Sequence, residues 1–439
     1  MEDETKKKKK PSIMSKILIG FALGIVAGLI VGPKITVIQP LGDLFIRLLR
    51  MVVIPLVFSS LAVGMSSIGD IKKMGRIGGM FLILLLVTTC MSTAIGLVLA
   101  LTIQPGSGVL LAMPEAEEVV VEAPSLLKTL LNIIPINPIE AMANGTVLQV
   151  IAFAIFLGIA MVMVGKKAEP LINILDALAE SMYKITEIVL HYAPIGVFAL
   201  ISCVVGAQGA QVLLPMLKLV ITVYLGCIIT IVFVNAGFTV GLLGKLNPIK
   251  FLKAYSPAML FSFATASSAA TIPLSLKCAQ ERMGVSKRVS SFVQPLGATV
   301  NMNGTSLYQG ICVVFIAQLM GLHLSMGQLL TVVLTALLAA VGTAGVPGAG
   351  LVMLTMVMVS IGLPPESIAI IAGVDRLLDS ARGVPNVTGD AAIALTIAKW
   401  EGELDRDIFE GKKVYNAEEA EDLEASRLIH FEKRYKNEN

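Results

Sequence analysis

The sequence predicts an all-α integral membrane protein, and three observations carry that expectation. Hydrophobic residues make up 55% of the 439 and charged residues only 15%, with a mean hydropathy of +0.83; soluble proteins carry about 25% charged residues. Apolar runs of spanning length recur from Ile13 to Trp400, separated by short charged loops. The last of them contains Val374 to Asp390, VDRLLDSARGVPNVTGD, which lies between apolar flanks yet holds Asp375, Arg376, Asp379, Arg382, Asn386 and Asp390.

In chain order, Lys6 to Lys10 precede the first apolar run, Ile13 to Val31. By the positive-inside rule residues 1–12 are cytoplasmic, and no cleavage pattern marks them as a signal peptide. The second span, about Leu41 to Met65, ends at the basic loop Asp70 to Arg76. The third, about Gly79 to Ile103, ends at Gln104-Pro-Gly-Ser-Gly108. The loop after it carries Glu115, Glu117, Glu118 and Glu122 and no base before Lys128, as suits the outer side. A region from about Thr129 to Val164 is too long for one span and is broken at Pro135, Pro138 and Asn144-Gly145. The fifth span, about Ile172 to Val205, holds His191, Tyr192 and Pro194, and the sixth, about Leu213 to Leu243, ends near Lys245 and Lys250.

Regular spanning then fails. The apolar segment Phe251 to Lys277 is interrupted by Thr265-Ala-Ser-Ser-Ala-Ala-Thr-Ile-Pro273 and is basic on both flanks, so it enters and leaves on one side, as a re-entrant hairpin. The seventh span, about Val289 to Met320, breaks at Asn301-Met-Asn-Gly-Thr305. A second hairpin, about Leu329 to Ile361, breaks at Gly342 to Gly350 and has no base at either end, which suits the outer side. The eighth span is the polar stretch itself. Hairpin plus broken helix, then hairpin plus polar helix, form an inverted repeat of the kind that places ion and substrate sites at mid-membrane. Residues 400–439 mix acids and bases and read as a solvated cytoplasmic tail with a frayed end.

At about 100° per residue, Asp375, Asp379, Arg382, Asn386 and Asp390 share roughly 80° of one helical face, while Arg376 points elsewhere. Ionisable groups at membrane depth persist when they face a protein interior or wet cavity and pair with one another or a ligand. The face therefore reads as a substrate or ion site, with a structural ion-pair network between helices as the other reading. Cys90, Cys203, Cys227, Cys278 and Cys312 lack CxxC spacing and neighbouring histidines and read as small packed hydrophobes. No Ser/Lys or Ser/His dyad and no HExxH lies in any span, which argues against an enzyme.

Ser267-Ser268 with Thr271-Ile-Pro273, NMNGT at 301–305, GTAGVPGAG at 342–350, and the set Asp375, Asp379, Arg382, Asn386 and Asp390 resemble the dicarboxylate/amino acid:cation symporter family of glutamate and aspartate transporters. The resemblance implies eight spans and two hairpins in an elevator-type homotrimer in the plasma membrane, with both termini cytoplasmic. A scaffold (13–78 and 129–205) would hold a mobile transport domain (79–103 and 206–399, with hairpins at about 251–280 and 329–361), the second hairpin serving as outer gate. Residues 104–128 would form an extracellular loop. The partners implied are the lipid bilayer and an acidic amino acid, with no nucleic acid.

Carried over to this sequence, the resemblance has Arg382 pairing with the substrate side-chain carboxylate, helped by Thr305. Asp379 would take the α-ammonium; Asn386, Ser267, Ser268 and tip backbone near Val346 and Gly350 would hold the α-carboxylate. Asp375 would belong to the supporting network. The chemistry of the residues agrees, since a planar guanidinium binds a carboxylate through two parallel bonds and a dry ammonium needs a fixed acid.

No covalent cofactor is implied, only Na⁺ or H⁺ as coupling ion. One Na⁺ site would join Asp390 to carbonyls of Gly297, Asn301 and Asn386. A second would use backbone at Thr299, Ala340, Val341 and Thr343, and a third would use Thr88, Thr89, Asn301 and position 303. The sequence departs from the family there: Asn303 stands where sodium-coupled members carry Asp, and an all-neutral cage holds a hard cation less well. Gln309 stands where proton- and potassium-coupled animal relatives carry Glu, and Gly383 where a hydroxyl is common. A proton-coupled carrier of acidic amino acids or C4-dicarboxylates is the alternative, and a channel the remaining one.

Overall fold

The computed structural model describes residues 13–67, 76–108, 134–343, 345, 347–364 and 367–416. The N-terminal basic block, residues 70–75 of the first basic loop, residues 109–128 of the acidic loop, Val346 and the tail beyond 416 lie outside the described residues. Among the described residues the fold is all-helical; the only strand-like pairing is one isolated bridge, Val285 to Leu404.

The chain opens with α1 (Ile13–Val31) and α2 (Gln39–Ser67), joined by a 3₁₀ turn, Gly32–Ile38. After α3 (Arg76–Ile103) come the short α4 (Pro138–Ala143), α5 (Val147–Val164) and α6 (Glu169–Gln208). The break at Asn144-Gly145 is where the sequence places it. Helix α6 packs on α1 and α2, and α2 packs on α5. Gly20, Gly24 and Gly28 recur every fourth residue on α1, where added Cβ atoms would stand 2.5, 2.9 and 2.7 Å from the backbone oxygens of Pro194, Phe198 and Ser202 on α6. That spacing brings the two backbones close, as small residues do between membrane helices.

The second group begins with α3 and continues with α7 (Leu213–Ile229), which runs on as a π-helix through Thr230–Leu243. A π segment of this length is unusual and such segments favour functional positions; this one carries the buried Asn235. Next come α8 (Pro248–Thr265) and α9 (Ser268–Lys277), then α10 (Lys287–Val300) and α11 (Asn303–Leu319). They are followed by α12 (Met326–Gly342), α13 (Ala349–Ser360), the 34-residue α14 (Ile368–Glu401) and the short α15 (Arg406–Glu410). Among the described residues, three stretches are long and apolar enough to cross a membrane: Ser15–Phe45, Arg76–Ile103 and Gly209–Leu243.

Both interrupted segments are helix–turn–helix units, with shorter breaks than the sequence suggests. The first turns at Ala266, which is left-handed (φ +51°), and Ser267 caps α9 by accepting from Ala270 N. Thr271 and Pro273 therefore lie inside α9; the proline removes one helical hydrogen bond without ending the helix. In the broken span only Asn301 and Met302 are non-helical, and Asn303, Gly304 and Thr305 form the first turn of α11.

The tail expectation is corrected between residues 401 and 410. Glu403 accepts from Ser286 Oγ at 2.5 Å and pairs with Arg288 at 3.1 Å, its carbonyl accepts from Ser286 N at 3.1 Å, and Asp405 N donates to Gly284 O at 2.8 Å. This part of the chain is docked on the α9–α10 turn because it satisfies the donors at the start of α10. Two apolar cores result. One takes in the N-terminal half of α14 as far as Ala381 and the other its C-terminal part from Val387. The polar centre of α14 sits between them.

Candidate functional site

Arg382 is the centre of the site and only 2% exposed. Its Nη2 donates to Asp379 Oδ1 at 2.6 Å and its Nη1 to Asp375 Oδ1 at 3.1 Å, while the guanidinium lies 4.2 Å from the centroid of the Tyr308 ring. Tyr308 OH donates to the same Asp375 oxygen at 2.8 Å, so Asp375 is held from α11 as well as α14. Asp379 Oδ2 accepts from Gly348 N at 2.9 Å and from Arg376 Nη1 at 3.3 Å. One carboxylate thus joins the polar helix to the tip between α12 and α13. Arg376, expected to point away, reaches Asp379 because residues three apart are helical neighbours and its stem is long.

The two tips meet over this cluster. Ser267 Oγ donates to Gly345 O at 2.8 Å and Ala269 N to the same oxygen at 3.0 Å. Asn386 Oδ1 accepts from Gly304 N at 2.8 Å and Thr305 N at 3.4 Å, and its Nδ2 donates to Thr305 Oγ1 at 3.3 Å. An α14 side chain therefore caps α11, which is why the chain can break at Asn301-Met302 inside a packed interior. Ser268, Thr305, Gly350, Asp379, Arg382 and Asn386 face one cavity of about 20 Å³, room for a water molecule and little more. Gly350 has no room for a side chain: a Cβ there would stand 2.5 Å from Arg382 Cζ.

Below the cavity, Asp390 Oδ1 accepts from Asn301 Nδ2 at 2.9 Å, and a Cβ on Gly297 would run into the same carboxylate. Asn301 Oδ1 is buried without a hydrogen-bond partner. Thr89 Oγ1 donates to Asn303 Oδ1 at 2.9 Å. Among the described residues, no three or more His, Cys, Asp or Glu side chains gather where they could hold a metal. A cation here would depend on amide and carbonyl oxygens around a single carboxylate, a donor set suited to a hard ion.

Against known proteins, the model for the sodium:dicarboxylate symporter family matches residues 13–400. The chain belongs to that family. It is 36% identical over 410 residues to the proton/sodium-glutamate symport protein of Geobacillus stearothermophilus, covering 91% of this chain and 97% of the relative. It is 36% identical to the proton/glutamate-aspartate symporter of Escherichia coli (strain K12), covering 90% and 94%. To the C4-dicarboxylate transport protein of Rhizobium leguminosarum it is 32% identical, covering 91% and 92%. This member of the sodium:dicarboxylate symporter family is a transporter and not an enzyme.

Set against this symporter's geometry, the expected site residues fall into three groups. Arg382, Asp379, Asp375, Asn386, Thr305, Ser267, Ser268 and Gly350 come together at the tips, and Val346 lies outside the described residues. Asp390, Asn301 and Gly297 form a second centre, and Thr89 and Asn303 a third. The remaining side chains turn back on their own helices: Thr88 Oγ1 to Leu84 O, Thr299 to Leu296 O and Thr343 to Ala339 O. Ala340 O accepts from Thr343 N, and Val341 is half-buried beside it. Sequence reasoning missed Tyr308 and Asn235. Tyr308 follows Thr305 by three positions on α11, and Asn235 is the single amide in an otherwise apolar run; both were findable signals.

Proposed function

We propose that this chain is a symporter that takes up L-aspartate or L-glutamate together with cations, Na⁺ in preference to H⁺. The observation that carries the reading is the self-paired Arg382–Asp379 couple facing the cavity, 2.6 Å apart and buried. Leaving one member of a buried pair without its partner costs about 3–5 kcal/mol, so a ligand that separates the two must supply both replacements. An acidic amino acid does so: its side-chain carboxylate goes to Arg382 and its ammonium to Asp379. The α-carboxylate would fall to Asn386, Ser268 and tip backbone near Gly350. A C4-dicarboxylate, the cargo named for the Rhizobium relative, satisfies Arg382 but offers nothing to the Asp379 Oδ1 that Arg382 gives up, leaving Asp379 with Arg376 and Gly348 N on its other oxygen. Separating aspartate from glutamate takes one methylene, worth about 1–3 kcal/mol in a fitted pocket.

Cations would enter beside Asp390, a buried carboxylate that accepts a hydrogen bond from Asn301. Movement would follow the packing. α1, α2, α5 and α6 would serve as a fixed scaffold in a homotrimer with cytoplasmic termini, and α3 with α7–α14 would slide as the transport unit. The tip between α12 and α13 would open as the outer gate once Gly348 N leaves Asp379.

The test is uptake of radiolabelled L-aspartate into proteoliposomes, driven by an inward Na⁺ gradient in one set and by an inward proton gradient in another. Accumulation with Na⁺ alone supports the full reading. Accumulation with protons alone removes the Na⁺ assignment. No accumulation of aspartate or glutamate in either set, with succinate taken up, would sink the substrate assignment.

A further inference from the structure

Position 303 lies in a buried row of polar side chains whose directions can be read from one fixed end. Pro385 O is an acceptor only, and Asn235 Nδ2 donates to it at 3.0 Å. Asn235 therefore turns Oδ1 toward Asn303, and Asn303 Nδ2 donates to it at 3.4 Å. That leaves Asn303 Oδ1 facing Thr89 Oγ1, from which it accepts at 2.9 Å. Thr89, Asn303 and Asn235 are each 0% exposed. The row runs donor to acceptor from α3 through α11 and the π-helix to α14, ending one residue before Asn386.

A carboxylate at 303 could not complete this row. It has no N–H, so Asn235 Oδ1, fixed by its other end, would face a second oxygen in a dry interior. Two buried acceptors in contact need a proton or a cation between them. The amide N–H of Asn303 occupies that place. The neighbouring amide differs: Asn301 gives Nδ2 to Asp390 and leaves its buried Oδ1 without a partner, whereas Asn303 has both ends of its amide paired.

We propose that Asn303 stands in for a coupling cation: the Thr89–Asn303–Asn235 row takes up no ion, and the chain moves one cation fewer than it would with aspartate at 303. The inference rests on the symport reading for its premise that cations are cargo. Charge balance agrees with it. Arg376 and Arg382 offset Asp375 and Asp379, which leaves Asp390 as the one carboxylate of this region needing an outside charge.

The test uses the full chain in detergent at alkaline pH, with NaCl exchanged for choline chloride at constant ionic strength. The dependence of the unfolding temperature on Na⁺ concentration gives the number of ions bound by the folded state. For Asn303→Asp that number is expected to rise by about one Na⁺ over the wild type; equal numbers would overturn the proposal. A second variant, Thr89→Val, keeps size and adds no charge. Its Na⁺ titration midpoint is expected within about threefold of the wild type, and a weakening of about tenfold or more would make Thr89 an ion ligand and overturn the proposal. L-aspartate added to the same titrations separates the two readings. Wild-type protein that gains no stability from aspartate counts against the substrate assignment, whereas unchanged Na⁺ numbers count against the row alone.

Discussion

Asp379→Asn is the most informative single change, because Asp379 is the group on which the choice between an amino acid and a plain dicarboxylate turns. The amide keeps one oxygen, so it can still accept from Gly348 N, now 2.9 Å away, and the tip retains its anchor. What goes is the negative charge. Breaking a buried pair outright costs about 3–5 kcal/mol, but the Arg382–Asp379 pair is lost from the empty site too, where Arg382 keeps Asp375 at 3.1 Å. The net loss for aspartate is therefore closer to a hydrogen bond with a charged group, about 1.5–3 kcal/mol, or roughly 10- to 150-fold in Kd. Succinate has no ammonium to place, so its affinity should change by less than about threefold or rise. Isothermal titration of both ligands against wild type and variant reads the two changes side by side. Equal weakening of aspartate and succinate would show that Asp379 only holds the site's shape, and the amino-acid assignment would lose its basis.

Arg382→Cys should lose at least about 100-fold in affinity for acidic substrates, since the carboxylate partner is gone, and should gain binding of small neutral amino acids; competition against labelled aspartate measures both. Gly297→Ala puts a methyl group into Asp390, so the Na⁺ concentration for half-maximal uptake should rise by about tenfold or more while aspartate affinity at saturating Na⁺ changes little. Glu403→Gln weakens the pair with Arg288, which is partly exposed; the cost is about 1 kcal/mol. A fall of about 1–2 °C in unfolding temperature, with unchanged uptake, is expected by scanning fluorimetry.

Much of this is legible in the sequence itself. Helix ends and breaks follow residue chemistry that acts locally: Asn144-Gly145 and Ser267 lie at breaks in the sequence and form a turn and a cap in the structure. The polar face of α14 was legible for a similar reason, because helical period alone gathers Asp375, Asp379, Arg382 and Asn386. Contacts between elements were not. Nothing local in α11 says that Asn386 from another helix will cap it, so the sequence makes the break at 301–305 look longer than the two residues it is. Nothing local in the tail says that Glu403 will find Ser286 and Arg288, 115 or more residues earlier in the chain. Tyr308 beneath Arg382 and Asn235 behind Asn303 depend on which faces of three helices meet.

The same distinction bears on coupling. Each charged residue of α14 is costly at membrane depth, and the four nearest the cavity cancel: Arg376 and Arg382 against Asp375 and Asp379. A substrate with two carboxylates and one ammonium adds one net negative charge to a neutral cluster, and Asp390 contributes another a little deeper. On the symport reading, both must be offset before the loaded unit can cross a low-dielectric barrier. A cation requirement then follows from the charge count of the closed site rather than from any one ligand cage. Asn303 fits the same account, since an aspartate there would add a third unbalanced negative charge, and an amide that completes its own hydrogen bonds removes the need for a third positive one.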